Sequence, residues 1–272
     1  MNMIEKYREL NQANRAILAT NFYNFETLKG VLLAVKDRKT DIILQITKGS
    51  IDYMGLENAI NMARTALKFY GIRGWIHLDH GGTVELAKRC LDAGVDSVMY
   101  DGSELSVEEN IKNTQEVVKY AKKFNASVEA ELGYVAKLGQ DKSKMEYTRV
   151  EDAKRFVEET GVNALAVAIG TAHGFYKEKP KLDFVRLAEI KEAVKIPLVL
   201  HGGSGVPDED LIKSIQNGIC KINLATEIKD TFIKNVKNEI NKSEQIDLRI
   251  IFPPAVDAVK KLIINKLITI EN

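Results

Sequence analysis

Short apolar runs and helix-spaced stretches alternate along almost the whole chain. Runs of β character fall at 16–20, 41–46, 75–78, 96–100, 127–130, 164–169, 198–200 and 220–223. Between them, 25–38, 57–70, 84–93, 107–124, 150–160, 184–194 and 208–217 repeat apolar residues three and four apart, with Leu28, Leu32 and Val35 on one face of the first. Gly71, Gly94 and Gly161 stand where helices should end. The run at 164–169 is apolar throughout, which suits a parallel strand covered on both faces. Eight strands separated by helices predict an α/β fold, a (β/α)8 TIM barrel, with extra C-terminal helices at 230–240 and 255–268. An open, doubly wound sheet is the rival, but eight βα units within about 230 residues suit closure better. No linker or low-complexity tract divides the chain, so 1–272 is expected to be one barrel domain.

Composition narrows the function classes. The chain has 272 residues, 45% of them hydrophobic, and its 39 basic against 38 acidic residues leave a net charge of +1. Such a balance gives nucleic acid or an anionic membrane surface no electrostatic hold. Charged Glu5, Lys6, Arg8 and Glu9 interrupt any signal-peptide core, and no apolar run approaches the ~20 residues of a membrane helix. A soluble cytoplasmic protein is expected. Cys90 and Cys220 lie far apart, fit no CxxC pattern and read as buried reduced thiols beside apolar stretches.

A barrel presents its chemistry at the C-terminal ends of its strands. There the sequence sets Asn21, Thr47, Asp79-His80, Asp101, Glu131, His173, His201 and Asn223. Three of the chain's four histidines are in this set. His80, His173 and His201 arise on three different strands, the pattern of a catalytic zinc ion with an open position for substrate. Asp101 and Glu131 offer oxygen ligands for a second divalent ion, or acceptors that orient the imidazoles; the spacing does not choose. Asp79 beside a ligand is suited to general acid–base work, against capping of the helix near Thr83. His77, two residues deeper, reads as a hydrogen-bonded interior residue. The turn His201-Gly202-Gly203-Ser204-Gly205 and the stretch Asn223-Leu224-Ala225-Thr226 provide backbone donors for a phosphate, a site that recurs after strands seven and eight of this fold. Lys48 reads equally as a phosphate contact or an exposed loop lysine.

Taken together, His77-Leu78-Asp79-His80-Gly81, Val128-Glu129-Ala130-Glu131-Leu132-Gly133, Ala168-Ile169-Gly170-Thr171-Ala172-His173-Gly174, the strand-seven turn and Lys221-Ile222-Asn223-Leu224-Ala225-Thr226 resemble the class II, zinc-dependent ketose-bisphosphate aldolases. The resemblance runs from about Asn21 to Ala258. It implies reversible cleavage of a ketose 1,6-bisphosphate to dihydroxyacetone phosphate and an aldehyde phosphate. Zinc on His80, His173 and His201 would polarise the ketone, Asp79 would take the C4 hydroxyl proton, and Asn223 would hydrogen-bond the enediolate. Asp101 and Glu131 match second-metal positions. Gly174, Gly202, Gly203, Ser204 and Thr226 match the 1-phosphate site, with Na+ or K+ beside it, and Asn21 and Thr47 face the sugar and phosphate. Arg249 resembles an arginine that reaches into a neighbouring subunit to the 6-phosphate, implying a homodimer or homotetramer.

Two departures stand out. The segment after Gly133 has no glutamate pair, so Asp141, or more weakly Glu146, is expected to move the carbon-bound proton. Ala225 replaces an acidic or amide residue of fructose-specific relatives and leans toward tagatose-type or other substrates. Alternatives are action on another phosphorylated sugar or sugar acid, a non-catalytic sugar-phosphate-binding subunit, and, less favoured, zinc-dependent hydrolysis.

Overall fold

The computed structural model describes residues 1–135, 147–176, 178–242 and 244–271. Eight parallel strands close into a barrel in simple sequence order, β1 pairing with β2 on one side and β8 on the other. They are β1 (Ile17–Asn21), β2 (Ile42–Ile46), β3 (Gly74–Gly81), β4 (Ser97–Tyr100), β5 (Ser127–Leu132), β6 (Ala164–Val167), β7 (Leu198–Leu200) and β8 (Ile219–Leu224). Helices α1 (Met3–Ala13), α2 (Phe25–Arg38), α3 (Lys48–Met54), α4 (Leu56–Tyr70), α5 (Val84–Asp92), α6 (Val107–Ala121), α7 (Val150–Thr160), α8 (Phe184–Val194) and α9 (Asp208–Gln216) precede or connect them. After β8 the chain continues as α10 (Thr226–Lys242), α11 (Leu248–Ile251) and α12 (Pro253–Glu271). No described helix is long and apolar enough to cross a membrane. Both cysteines are buried and unbridged.

Helix starts follow local chemistry. Asn2 and Asn24 form reciprocal capping boxes with Glu5 and Thr27, while Thr83, Ser106 and Asp183 cap α5, α6 and α8. Gly71 and Gly161 end α4 and α7 in the left-handed conformation, as expected. Three helices have no counterpart in the expectation. One is α3, begun by Thr47, and another is the single turn α11, begun by Asp247. The third is α1, whose Met3, Tyr7 and Leu10 form a stripe overlooked among charged neighbours.

Two apolar layers result. One lies between strands and helices, and its members from α2 and α12 include Val31, Val35, Val259 and Ile263. The other fills the lower barrel: Met3, Tyr7 and Leu10 of α1 meet Ile17, Ile43, Trp75, Met99, Ala166 and Val199. Each large side chain in this plug contributes roughly 1.5–3 kcal/mol. Thus α1 seals the floor, and only the upper barrel is left for polar groups.

Candidate active site at the barrel mouth

A regular strand cannot aim two consecutive side chains into the same space. At β3 the pairing with β4 shifts register between Leu78 and Gly81, and His80 adopts φ 54°. This bulge turns both Asp79 and His80 into the mouth, a case of backbone strain held at a functional position. Gly81 is required beside it, because a Cβ there would lie 2.7 Å from the Met99 carbonyl oxygen. Thr83, not Asp79, caps the following helix, so the carboxylate is left for the site.

His80, His173 and His201 converge. Their ring centroids lie 4.7–5.8 Å apart with planes near perpendicular, and their candidate ligand atoms all fall within 4.8 Å of one another. His80 Nδ1 lies 2.6 Å from Asp101 Oδ2, and His201 Nε2 lies 2.9 Å from Glu129 Oε1. Carboxylates accept only, so each demands N–H from the nitrogen it faces. His80 Nε2 and His201 Nδ1 then confront each other at 3.0 Å, and a proton or a metal cation must lie between them. In the protein alone that is a proton on His80. Burial opposes its charge, but Asp79 and the Asp101 hydrogen bond outweigh burial and push its pKa up to about 9. Burial and the His80 charge push His201 well below the usual histidine range.

A second group joins His80 to Asp101 and Glu131. Burial and then the Asp101 charge raise Glu131 to about 8. Its Oε2 is buried with no hydrogen-bond partner among the described residues. Asp101 is held below the carboxylate range: burial works the other way but is outweighed by its bond to His80. Facing imidazole nitrogens in the first group, and an unsatisfied buried carboxylate oxygen in the second, are each the kind of donor a divalent ion takes. For zinc at 2.0–2.1 Å from each nitrogen, a tetrahedral N···N edge is about 3.4 Å.

Asp79 is fixed beside this cluster by three amides. Asn21 Nδ2 donates to Oδ2 at 3.0 Å, while Asn223 Nδ2 and Gln45 Nε2 approach Oδ1 at 3.3 and 3.4 Å. Burial alone would raise its pKa, but the His80 charge first, then Lys221 and the Asn21 bond, reverse this, holding it below its usual value. Asp79 is therefore a base ready to accept a proton, held at a fixed place.

Gly202, at φ +67°, packs so closely under Ala172 that a Cβ would run into the Ala172 carbonyl oxygen. The Tyr176 hydroxyl ties the loops bearing His173 and His201 together, accepting from Ala172 N at 2.7 Å and lying 2.9 Å from the Gly202 carbonyl oxygen. In this turn Gly203 N–H donates to Asn223 O at 3.1 Å and Gly205 N–H to Glu227 at 2.8 Å, while Ser204 Oγ accepts from Glu227 N at 3.4 Å. Gly174 follows His173 at φ +116°, and Thr226 opens α10.

The remaining expected residues separate. Thr47 caps α3 through its hydroxyl. Lys48 is exposed and paired with Asp52. Arg249 is 90% exposed on α11, and its guanidinium is bonded to Asp247 of its own chain. Asp141 and Glu146 lie outside the described residues. Sequence reasoning missed Gln45, Glu129, Lys221 and Tyr176. The first three carried a signal: polar or charged residues at inward strand positions, Glu129 and Lys221 each two before a mouth residue.

Comparison with known proteins agrees in fold and length. The family model "Fructose-bisphosphate aldolase class-II" matches residues 1–272. The crystal structure of the YdjI aldolase from Escherichia coli K12 is 30% identical, covering 99% of this chain and 96% of that one with a TM-score of 0.88. A Coccidioides immitis protein is 28% identical, with 99% and 96% covered and a TM-score of 0.90. A fructose-bisphosphate aldolase from Campylobacter jejuni, 21% identical with 98% and 93% covered and a TM-score of 0.84, shares the fold.

Proposed function

We propose, on the premise that this chain belongs to the class-II fructose-bisphosphate aldolase family, that it is a zinc-dependent lyase of ketose 1,6-bisphosphates. The substrates would be of the fructose or tagatose type. Aldol cleavage of a sugar phosphate follows from the family; zinc and the bisphosphate are the finer reading. The observation that carries it is the 3.0 Å confrontation of His80 Nε2 and His201 Nδ1, each backed by a carboxylate, next to Asp79.

Zinc held by His80, His173 and His201 supplies a Lewis acid for the substrate carbonyl. Asp79 removes the C4 hydroxyl proton as the C3–C4 bond breaks, and returns it in the synthetic direction. Asn21, Gln45 and Asn223 keep that carboxylate in place, and Asn223 also lies 3.2 Å from the His201 ring nitrogens. The reading assigns Asp101 and Glu131 to a second cation, Gly174, Gly202, Gly203, Ser204 and Thr226 to the 1-phosphate, and Asp141 to the carbon-bound proton. Thr47 faces the sugar phosphate in this assignment, and Arg249 serves a neighbouring subunit. Ala225 in place of an acid or amide favours a second reading, cleavage of another phosphorylated sugar or sugar acid.

The test is product analysis with fructose and tagatose 1,6-bisphosphates, ketose 1-phosphates and phosphorylated sugar acids, using zinc-loaded and EDTA-treated enzyme. The expected result is dihydroxyacetone phosphate from a 1,6-bisphosphate, abolished by EDTA. EDTA-resistant cleavage, or borohydride trapping of a lysine adduct, contradicts the reading.

A further inference from the structure

Directly beneath the mouth, inside a barrel otherwise plugged by apolar side chains, lies a second polar layer. Lys221 of β8 and Glu129 of β5 are both buried, and Lys221 Nζ donates to Glu129 Oε2 at 2.7 Å. The other Glu129 oxygen, Oε1, faces His201 Nε2 at 2.9 Å. From the sealing helix, the Tyr7 hydroxyl reaches Oε2 at 3.4 Å. Lys221 also touches His77 Nε2 at 3.1 Å, and His77 Nδ1 is 2.7 Å from Ser97 Oγ. A buried ion pair seldom adds net stability over apolar packing of the same volume, so its presence calls for another explanation.

We propose that Glu129 and Lys221 are positioning residues for the metal site: Glu129 fixes which nitrogen of His201 faces the ion, and Lys221 keeps Glu129 in place and balances its charge. The inference rests on the metal reading given above. His201 can use Nδ1 or Nε2, and only an acceptor beneath Nε2 leaves the Nδ1 lone pair pointing toward His80. Asp101 performs the same service for His80 from the side. A carboxylate behind a ligating imidazole both orients the ring and makes it a stronger donor. Lys221 has no route to a substrate carbonyl, because it is fully buried and its partners Glu129 and His77 are interior groups. Its part is to let a carboxylate sit beneath a cation site without leaving an unbalanced charge inside the barrel.

The test compares zinc affinity, by competition with a chromogenic chelator, and the visible spectrum of the cobalt-loaded protein. The variants are Glu129→Gln, the charge-balanced double variant Glu129→Gln/Lys221→Met, and Ser97→Ala. Ser97→Ala loosens the same buried layer without touching Glu129 or His201. Loss of the carboxylate is expected to weaken zinc binding 10–100-fold in both Glu129 variants and to alter the cobalt bands. Ser97→Ala should lower the melting temperature yet stay within about twofold of the parent's zinc affinity. The double variant keeps the test open if an unbalanced Lys221 prevents the single one from folding. Zinc affinities of the Glu129 variants within twofold of the parent, or an equal loss in Ser97→Ala, overturn the proposal while leaving the metal site standing. A parent protein that binds neither zinc nor cobalt overturns the metal reading itself.

Discussion

His77 and His80 sit three residues apart on the same strand and have opposite lives. His77 is fully buried, with one ring nitrogen on Ser97 and the other on Lys221, and burial pushes its pKa well below the usual value. His80, part-exposed at the mouth, has a carboxylate behind Nδ1 and turns Nε2 toward two other imidazoles. An imidazole whose two nitrogens are both engaged by protein donors and acceptors is structural. One with a carboxylate behind one nitrogen and the other turned toward further imidazoles is placed to ligate. Partners, not residue type, decide between them.

The largest expected effect separates these two residues. His80→Ala should lose bound zinc and with it all measurable cleavage, whereas His77→Gln should retain zinc and lose about 1–3 kcal/mol of unfolding free energy; metal analysis with chemical denaturation reads both. If His77→Gln loses zinc as completely, the distinction fails. Next comes Asp79→Asn, expected to lower kcat by about 10²–10⁴-fold with metal content intact, a comparison steady-state kinetics and elemental analysis make together.

A smaller effect concerns pH. In the ion-free chain Glu131 is raised from 4.5 to about 8 by burial and the Asp101 charge. His80 is raised from 6.5 to about 9 by Asp79 and Asp101 against the pull of burial. Both folded values lie above the unfolded ones, so their stabilisation is complete below pH 4.5 and 6.5 and is lost as pH climbs through 8 and 9. Metal-stripped protein should therefore melt lower at pH 9 than at pH 6, and zinc, which replaces those protons, should remove most of the difference. Equal melting temperatures at both pH values in the stripped protein would dissolve the account of the upper layer. The smallest effect belongs to Tyr7→Phe: with its hydroxyl 3.4 Å from Glu129, the loss should stay below about 1 kcal/mol.

Much of this was legible in the sequence. Strand spacing, continuous apolar runs and glycine stops foretold the barrel, because parallel strands buried on both faces leave a plain mark. The mouth residues were legible because polar groups interrupt those runs where the fold puts its chemistry. The bulge was not, since nothing in Asp79-His80-Gly81 announces a register shift until β4 is beside it. The pairing of Glu129 with Lys221 joins strands 92 residues apart and depends on barrel closure. The α1 plug was overlooked because its stripe of Met3, Tyr7 and Leu10 alternates with charge, and its cavity exists only in three dimensions.

The most direct measurement is anomalous diffraction at the zinc edge from crystals of metal-loaded protein. The account predicts one strong peak about 2.0–2.1 Å from His80 Nε2, His201 Nδ1 and a nitrogen of His173, within reach of Asp79. Peaks confined to the surface, or rings turned away from one another around an empty centre, would contradict it.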